Sequence, residues 1–138
     1  MNTSWLMGID LGGSGARCLL VNCESKAQVS AVGSWQFPAA PGTFGTGFDI
    51  DLEQVWAVVG QACRDAVQQA GIRPTDVAAV AVTAMRFSTV LLNNAGDSLL
   101  AVPNRDARAA GEYFDIAGKL GPELLRATGS SPLPLHAS

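Results

Sequence analysis

The sequence predicts an α/β domain built on a mixed β-sheet. Two apolar runs flank the glycine-rich stretch Leu11–Ala16 and a third follows a polar turn, the pattern of an antiparallel meander. A capped amphipathic segment then leads into the apolar run Val77–Ala84, as a helix leads into a strand parallel to the first.

Each element follows from local chemistry. Trp5–Asp10 and Cys18–Val21 read as strands around a glycine turn; Cys23–Ala27 is a polar turn, and Gln28–Phe37 is a third strand. Pro38–Gly47 is the least regular interior stretch and reads as a surface loop. Asp51 caps a helix, with Gln54 completing a capping-box pattern. Val55, Trp56, Val59, Cys63, Ala66, Val67 and Ala70 recur at helical spacing until Gly71 stops the helix. Val77–Ala84, rich in Val and Ala, is expected to be a strand buried on both faces. Thr89–Asn93 and Leu99–Pro103 flank a turn and form a hairpin. Asp106–Leu120 is a helix opening at Asp106, and Pro122–Gly129 is a shorter helix with proline in its first turn and glycine after its end. Nothing after Pro132 continues the helical pattern, which reads as a piece of something longer.

Composition excludes several classes. With 48% hydrophobic and 15% charged residues the chain is globular, and a net charge of −3 argues against broad nucleic-acid binding. No apolar run approaches a membrane span, and the start lacks a secretory signal, so a cytoplasmic location is expected. Cys18, Cys23 and Cys63 form no CxxC pair and His136 stands alone, which favours reduced structural thiols over a disulfide framework or a zinc site.

The glycine turn carries the chemistry. Gly12, Gly13 and Gly15 are expected to take positive φ angles and bring backbone N–H groups close to an anion, with Ser14 adding a hydroxyl donor and Arg17 a positive charge. Asp10 would repel phosphate unless a divalent cation intervened, and Mg²⁺ suits a site with one or two carboxylates. The stretch is neither a Walker A loop nor a dinucleotide fingerprint, since no Gly-Lys-Ser/Thr follows and Cys18 stands where the last glycine belongs. It leads into a strand, so no helix dipole assists. From the residues alone, a phosphate clamp and a plain hairpin stand equal.

The stretch "GIDLGGSGAR" resembles the first phosphate motif of the sugar-kinase, actin and heat-shock chaperone ATPase superfamily. "FDIDLEQVW", "VAAVAVTAMRFSTVLLNNAGDSLL", "NRDARAAGEYF" and "RATGSSPLPL" resemble, in the right order, later segments of FGGY carbohydrate kinases, most like autoinducer-2 kinase-type members and less like glycerol kinase and xylulokinase. The resemblance implies a ribonuclease H-like, actin-like ATPase fold with a mixed sheet flanked by helices. Residues 1–138 would then be an incomplete N-terminal kinase domain whose second, C-terminal lobe lies outside the chain. It implies phosphoryl transfer from ATP, with Mg²⁺, to a hydroxyl of a sugar, polyol or related small molecule. Partners would be that small molecule, the missing lobe and a second copy in a homodimer.

Carried over position by position, the resemblance gives Asp10 the task of orienting Mg²⁺ through water, and sets Gly12, Gly13, Ser14 and Arg17 at the phosphates. Arg86 would hold the acceptor, its planar fork suiting paired oxygens. Phe87 stands where relatives carry Glu or His, which removes a polar sugar contact and opens substrate identity. Asp106 falls in a segment near the sugar cleft. Plainer readings compete: Arg86 in a surface ion pair, Phe87 in a core, and Asp106 as a helix N-cap, the favoured reading. Trp35 and Trp56 are expected in the core. The family's catalytic Asp would lie beyond Ser138, so no catalytic base is assigned within the chain. Two other functions stand beside the kinase: a non-catalytic lobe that binds a sugar or a partner, and an ATPase coupled to conformational work. The Arg86 loop and "NRDARAA" favour the sugar branch over the latter.

Overall fold

A computed structural model describes residues 4–129; His136 and the segment after Pro132 lie outside them. The chain divides into two compact units, Met1–Gln36 with Asp51–Met85, and Phe37–Ile50 with Arg86–Ser138.

The first unit holds the expected mixed sheet. Strands β1 (Trp5–Leu11), β2 (Gly15–Asn22) and β3 (Gln28–Ser34) form the meander, and β4 (Val77–Ala84) joins β1 in parallel, giving the order β3-β2-β1-β4. Asn22 shapes the turn after β2, its Oδ1 accepting from the N–H groups of Glu24 and Ser25. Helix α1 (Leu52–Ala70) begins where Asp51 Oδ1 accepts from Gln54 N at 2.9 Å and ends at Gly71, whose φ of 65° is left-handed. It lies across β2 and β3. Alternation along the strands sends Trp5, Met7, Cys18, Leu20 and Ala31 to Ala62 and Ala66 of the helix. Cys18 and Leu20 are fully buried, each worth about 1.5–3 kcal/mol against exposure.

Two expectations fail here. Trp56, placed in the core by helical spacing, is 73% exposed, because the helix buries the stripe Val55, Val59, Ala62 and Ala66 and turns Trp56 aside. Strand β4 is not buried on both faces: Val80 is 57% and Val82 64% exposed. It is the edge strand, and α1 covers β2 and β3 instead, leaving a groove of about 540 Å³ lined by Met7, Cys63, Val67, Ile72 and Val80.

The second unit carries the hairpin β5 (Thr89–Leu92) and β6 (Ser98–Val102), closed by a turn in which Gly96 has a φ of 90°. Its buried residues include Phe37, Ala40, Ala101 and Val102. Helix α2 (Ala110–Thr128) replaces the two expected helices, running unbroken through Pro122 to Gly129 as its left-handed cap. Proline removes one hydrogen bond, but the helical residues on both sides hold the rod together. Among the described residues no helix is long and apolar enough to cross a membrane.

Candidate functional site

The glycine turn folds tightly without the left-handed backbone expected of it. None of Gly12, Gly13 and Gly15 has a positive φ. Glycine is needed for proximity instead: a Cβ on Gly15 would overlap the carbonyl oxygen of Gly33 and sit 3.1 Å from Ser34 Cα. Gly12 N donates to Gly15 O at 2.8 Å, closing the hairpin, so this N–H is not available to a ligand. The carbonyl of Ser14 accepts from Trp35 N at 3.0 Å, which ties the turn to the chain leaving β3. Trp35 is buried, as expected. Gly13 and Ser14 are exposed, and a Cβ on Gly13 would meet nothing within 4 Å. The turn therefore presents open backbone at Gly13 and Ser14, while Gly12 and Gly15 hold its shape.

Asp10 lies in the last turn-ward pair of β1 residues, opposite Arg17 on β2 and Thr83 on β4. All three are exposed. Their shared register sets a cation, a carboxylate and a hydroxyl in one row across three strands. Thr83 escaped the sequence reading, because its register with Asp10 depends on a strand pair more than seventy residues apart. Asp10 is the carboxylate of this row, a single ligand of the kind a cation that keeps most of its waters needs; among the described residues no group of three or more His, Cys, Asp or Glu side chains could hold a metal ion by itself.

Strand β4 ends at the same end of the sheet. Leu11 pairs with Ala84, and Met85 N donates to Leu11 O at 2.8 Å, so the chain leaves β4 directly beside the start of the glycine turn. Ligands of open α/β sheets gather at such carboxyl ends of parallel strands. Arg86 is exposed, and no ion pair joins it to another described residue. Its guanidinium lies 5.8 Å from the centroid of the Phe87 ring. Phe87 is half exposed, not a core residue, and its φ of 61° is left-handed. A bulky residue there is strained by about 1–3 kcal/mol, a state that clusters at functional loops. The adjoining Ser88 hydroxyl is buried without a hydrogen-bond partner among the described residues.

Asp106 is neither a helix cap nor an open ligand. Helix α2 starts four residues later, behind Ala109. The Asp106 carboxylate is 3% exposed, with Oδ2 accepting from Phe48 N at 2.6 Å and Oδ1 from Arg108 N at 3.1 Å. Arg108 Nε reaches both oxygens, at 3.1 and 2.9 Å, which fills the acceptor sites of the group. Arg108 also donates to Phe48 O and to Asp49 Oδ1. Its guanidinium is raised above the usual arginine range, first by the Asp49 hydrogen bond and then by Asp106. Asp106 is thus a clasp between Phe48–Asp49 and the segment before α2. Both of its oxygens are engaged within the chain. Sequence alone showed an Asp before a helix; the partner 58 residues earlier was invisible.

A profile described as the FGGY family of carbohydrate kinases, N-terminal domain, matches residues 5–132. The chain belongs to the FGGY family of carbohydrate kinases. This FGGY chain is 32% identical over 131 residues to an autoinducer-2 kinase of Escherichia coli O9:H4 (strain HS), covering 92% of its own length and 24% of that protein. It also resembles the gluconate kinase of Lactobacillus acidophilus, with a TM-score of 0.75 at 20% identity over 97% of this chain and 26% of the other. The glycerol kinase of Plasmodium falciparum, solved with ADP, superposes with a TM-score of 0.76 at 12% identity, over 96% and 27% of the two chains. These structures share its fold, the actin-like ATPase fold of sugar kinases with its mixed sheet. The FGGY chain spans about a quarter of the length of the relatives it matches.

Proposed function

We propose that this chain forms the phosphate-facing and acceptor-facing part of an ATP-dependent carbohydrate kinase, one that moves the γ-phosphoryl group to a hydroxyl of a sugar, polyol or related small molecule. The observation that carries the reading is the family match over residues 5–132, with the end of β4 held beside the glycine turn by the bond from Met85 N to Leu11 O.

Each residue has a task in that reading. The N–H groups of Gly13 and Ser14 and the Ser14 hydroxyl face the phosphates, with Gly12 and Gly15 holding the turn. Asp10 would hold Mg²⁺ through its water, and Arg17 balances charge beside it. When bound, Mg²⁺ neutralises the phosphate oxygens and so favours transfer. Arg86 orients the acceptor hydroxyls. Phe87 gives the acceptor an apolar wall where relatives offer Glu or His, so the preferred acceptor differs from theirs. Asp106 keeps the loop in place through Arg108 without touching the acceptor. The reading carries a cytoplasmic location with it, in keeping with three unpaired cysteines. The proton acceptor for the attacking hydroxyl is assigned to a second lobe.

A second reading keeps the same fold: a lobe that binds a sugar or a partner and turns nothing over. Radiolabelled ATP supplied to a version of full kinase length, with a panel of sugars, sugar acids, polyols and autoinducer-2, separates the two. Transfer to an acceptor, lowered about 100-fold or more by Asp10→Ala, is the expected result. No transfer to any member, or full turnover in Asp10→Ala, overturns the kinase reading or the role of Asp10.

A further inference from the structure

In the row formed by Arg17, Asp10 and Thr83, the threonine has no task in phosphate or acceptor binding. Thr83 is the direct register partner of Asp10 on the parallel strand β4, on the same face of the sheet and equally exposed. Neighbouring strands lie about 4.8 Å apart, so a hydroxyl and a carboxylate in register stand side by side with their heads toward the same solvent. The run Val77–Ala84 is otherwise wholly apolar, with Thr83 its sole hydroxyl and its sole polar side chain. Thr83 Oγ1 makes no hydrogen bond to Asp10 or to any other described residue. The threonine methyl and β-branch would suit a strand, yet valine, already used three times in β4, would serve that purpose equally.

We infer that Thr83 is a positioning residue for the hydrated cation that Asp10 orients, its hydroxyl oxygen accepting from a water of the cation's shell. The inference rests on the kinase reading above and deepens it. Mg²⁺ keeps several waters and is held by few protein groups, so a site of this kind gains its direction from polar groups around the shell. Arg17, on the opposite side of Asp10, repels the cation and cannot share the task. A hydroxyl on the other side breaks that symmetry and draws the hydrated ion toward β4, the strand that continues into Met85 and Arg86.

The test uses Mn²⁺, a relaxing substitute for Mg²⁺, titrated alone into the ¹⁵N-labelled chain, with amide broadening as readout. Wild type should show broadening centred on Asp10 and its neighbours in β1 and β4. Thr83→Val should require about 10-fold more Mn²⁺ for the same broadening, and Thr83→Ser should restore it. Both variants keep a strand-compatible side chain at an exposed position, and unshifted amides elsewhere verify the fold. Equal broadening in wild type and Thr83→Val overturns the inference while leaving Asp10 in its role. A Thr83→Ser as weak as Thr83→Val also overturns it, since packing rather than the hydroxyl would then matter. Broadening that survives unchanged in Asp10→Asn removes the metal from Asp10, and the cation assignment of the kinase reading fails with it.

Discussion

Alanine at Gly15 and alanine at Gly13 should have opposite consequences, although the two glycines are separated by a single serine. At Gly15 the new Cβ would overlap Gly33 O and lie 3.1 Å from Ser34 Cα and 3.2 Å from Gly33 C. All three atoms belong to the backbone of the neighbouring strand β3, so no side-chain rotation relieves the overlap. Overpacking of this kind costs about 1–3 kcal/mol, and the rigid neighbours set the upper end. Neither glycine has a positive φ, so alanine gains about 0.4–1 kcal/mol at each site by restricting the unfolded chain. The net loss at Gly15 is about 2 kcal/mol. At Gly13 no atom lies within 4 Å of the new methyl, and the chain should be unchanged or more stable by up to about 1 kcal/mol. Urea unfolding reads both: with a slope of about 2 kcal/mol per molar, Gly15→Ala moves the midpoint down by about 1 M at constant slope. Phosphate-ligand binding should respond in reverse, weakened by Gly13→Ala through the occupied approach path. A Gly15→Ala midpoint within 0.2 M of wild type (roughly the resolution of the method) refutes the close-approach account. Equal destabilisation by the two substitutions refutes the division of labour within the turn.

Three further outcomes follow from the geometry. Asp106→Asn leaves Arg108 Nε facing an amide donor and should destabilise the chain by about 2 kcal/mol, below the range for a fully buried pair because Arg108 keeps 29% exposure; urea unfolding checks it, and a change under about 0.5 kcal/mol contradicts the clasp. Phe87→Gly should stabilise by about 1 kcal/mol through release of the left-handed strain and, in a kinase of full length, broaden the range of acceptors phosphorylated; a loss of stability instead would mean that the ring contacts outweigh the backbone. Burial, first, and the neighbouring Cys63 push the Cys18 thiol up to about 12 from 9.0, so the folded state retains a proton that the unfolded state releases. Stability contributed by the neutral thiol is complete below pH 9 and falls as pH rises from there toward about 12, by at most about 1.4 kcal/mol per unit. Thermal melts of wild type and Cys18→Ala across pH 8–11 (roughly the window of that titration) should converge as pH rises, and parallel curves would exclude Cys18 as the cause.

The legible part of this protein was local. Apolar runs bounded by turn residues marked β1, β2, β4, β5 and β6, and Asp51 with Gly71 marked both ends of α1, because propensity, capping and alternation act over a few residues. The ordered motifs also sufficed for the FGGY resemblance, which the family match bears out. What the residues could not show was where each surface would meet another. Trp56 kept helical spacing yet faced solvent, and β4 read as an inner strand yet formed an edge, since the direction of α1 over β2 and β3 is a tertiary matter. Asp106 has the sequence position of a cap, yet Phe48, 58 residues earlier, and Arg108, two residues later, take its oxygens. At Gly15 the missing side chain serves the close approach of β3 and not a left-handed backbone. Sequence by itself determined which segments become strands and helices and which family they belong to, because those follow from short-range chemistry and motif order. Only the tertiary structure decided that Asp10, Thr83 and Met85 share one end of one sheet, because parallel pairing of β1 with β4 joins residues far apart in the chain through backbone hydrogen bonds that no local pattern encodes.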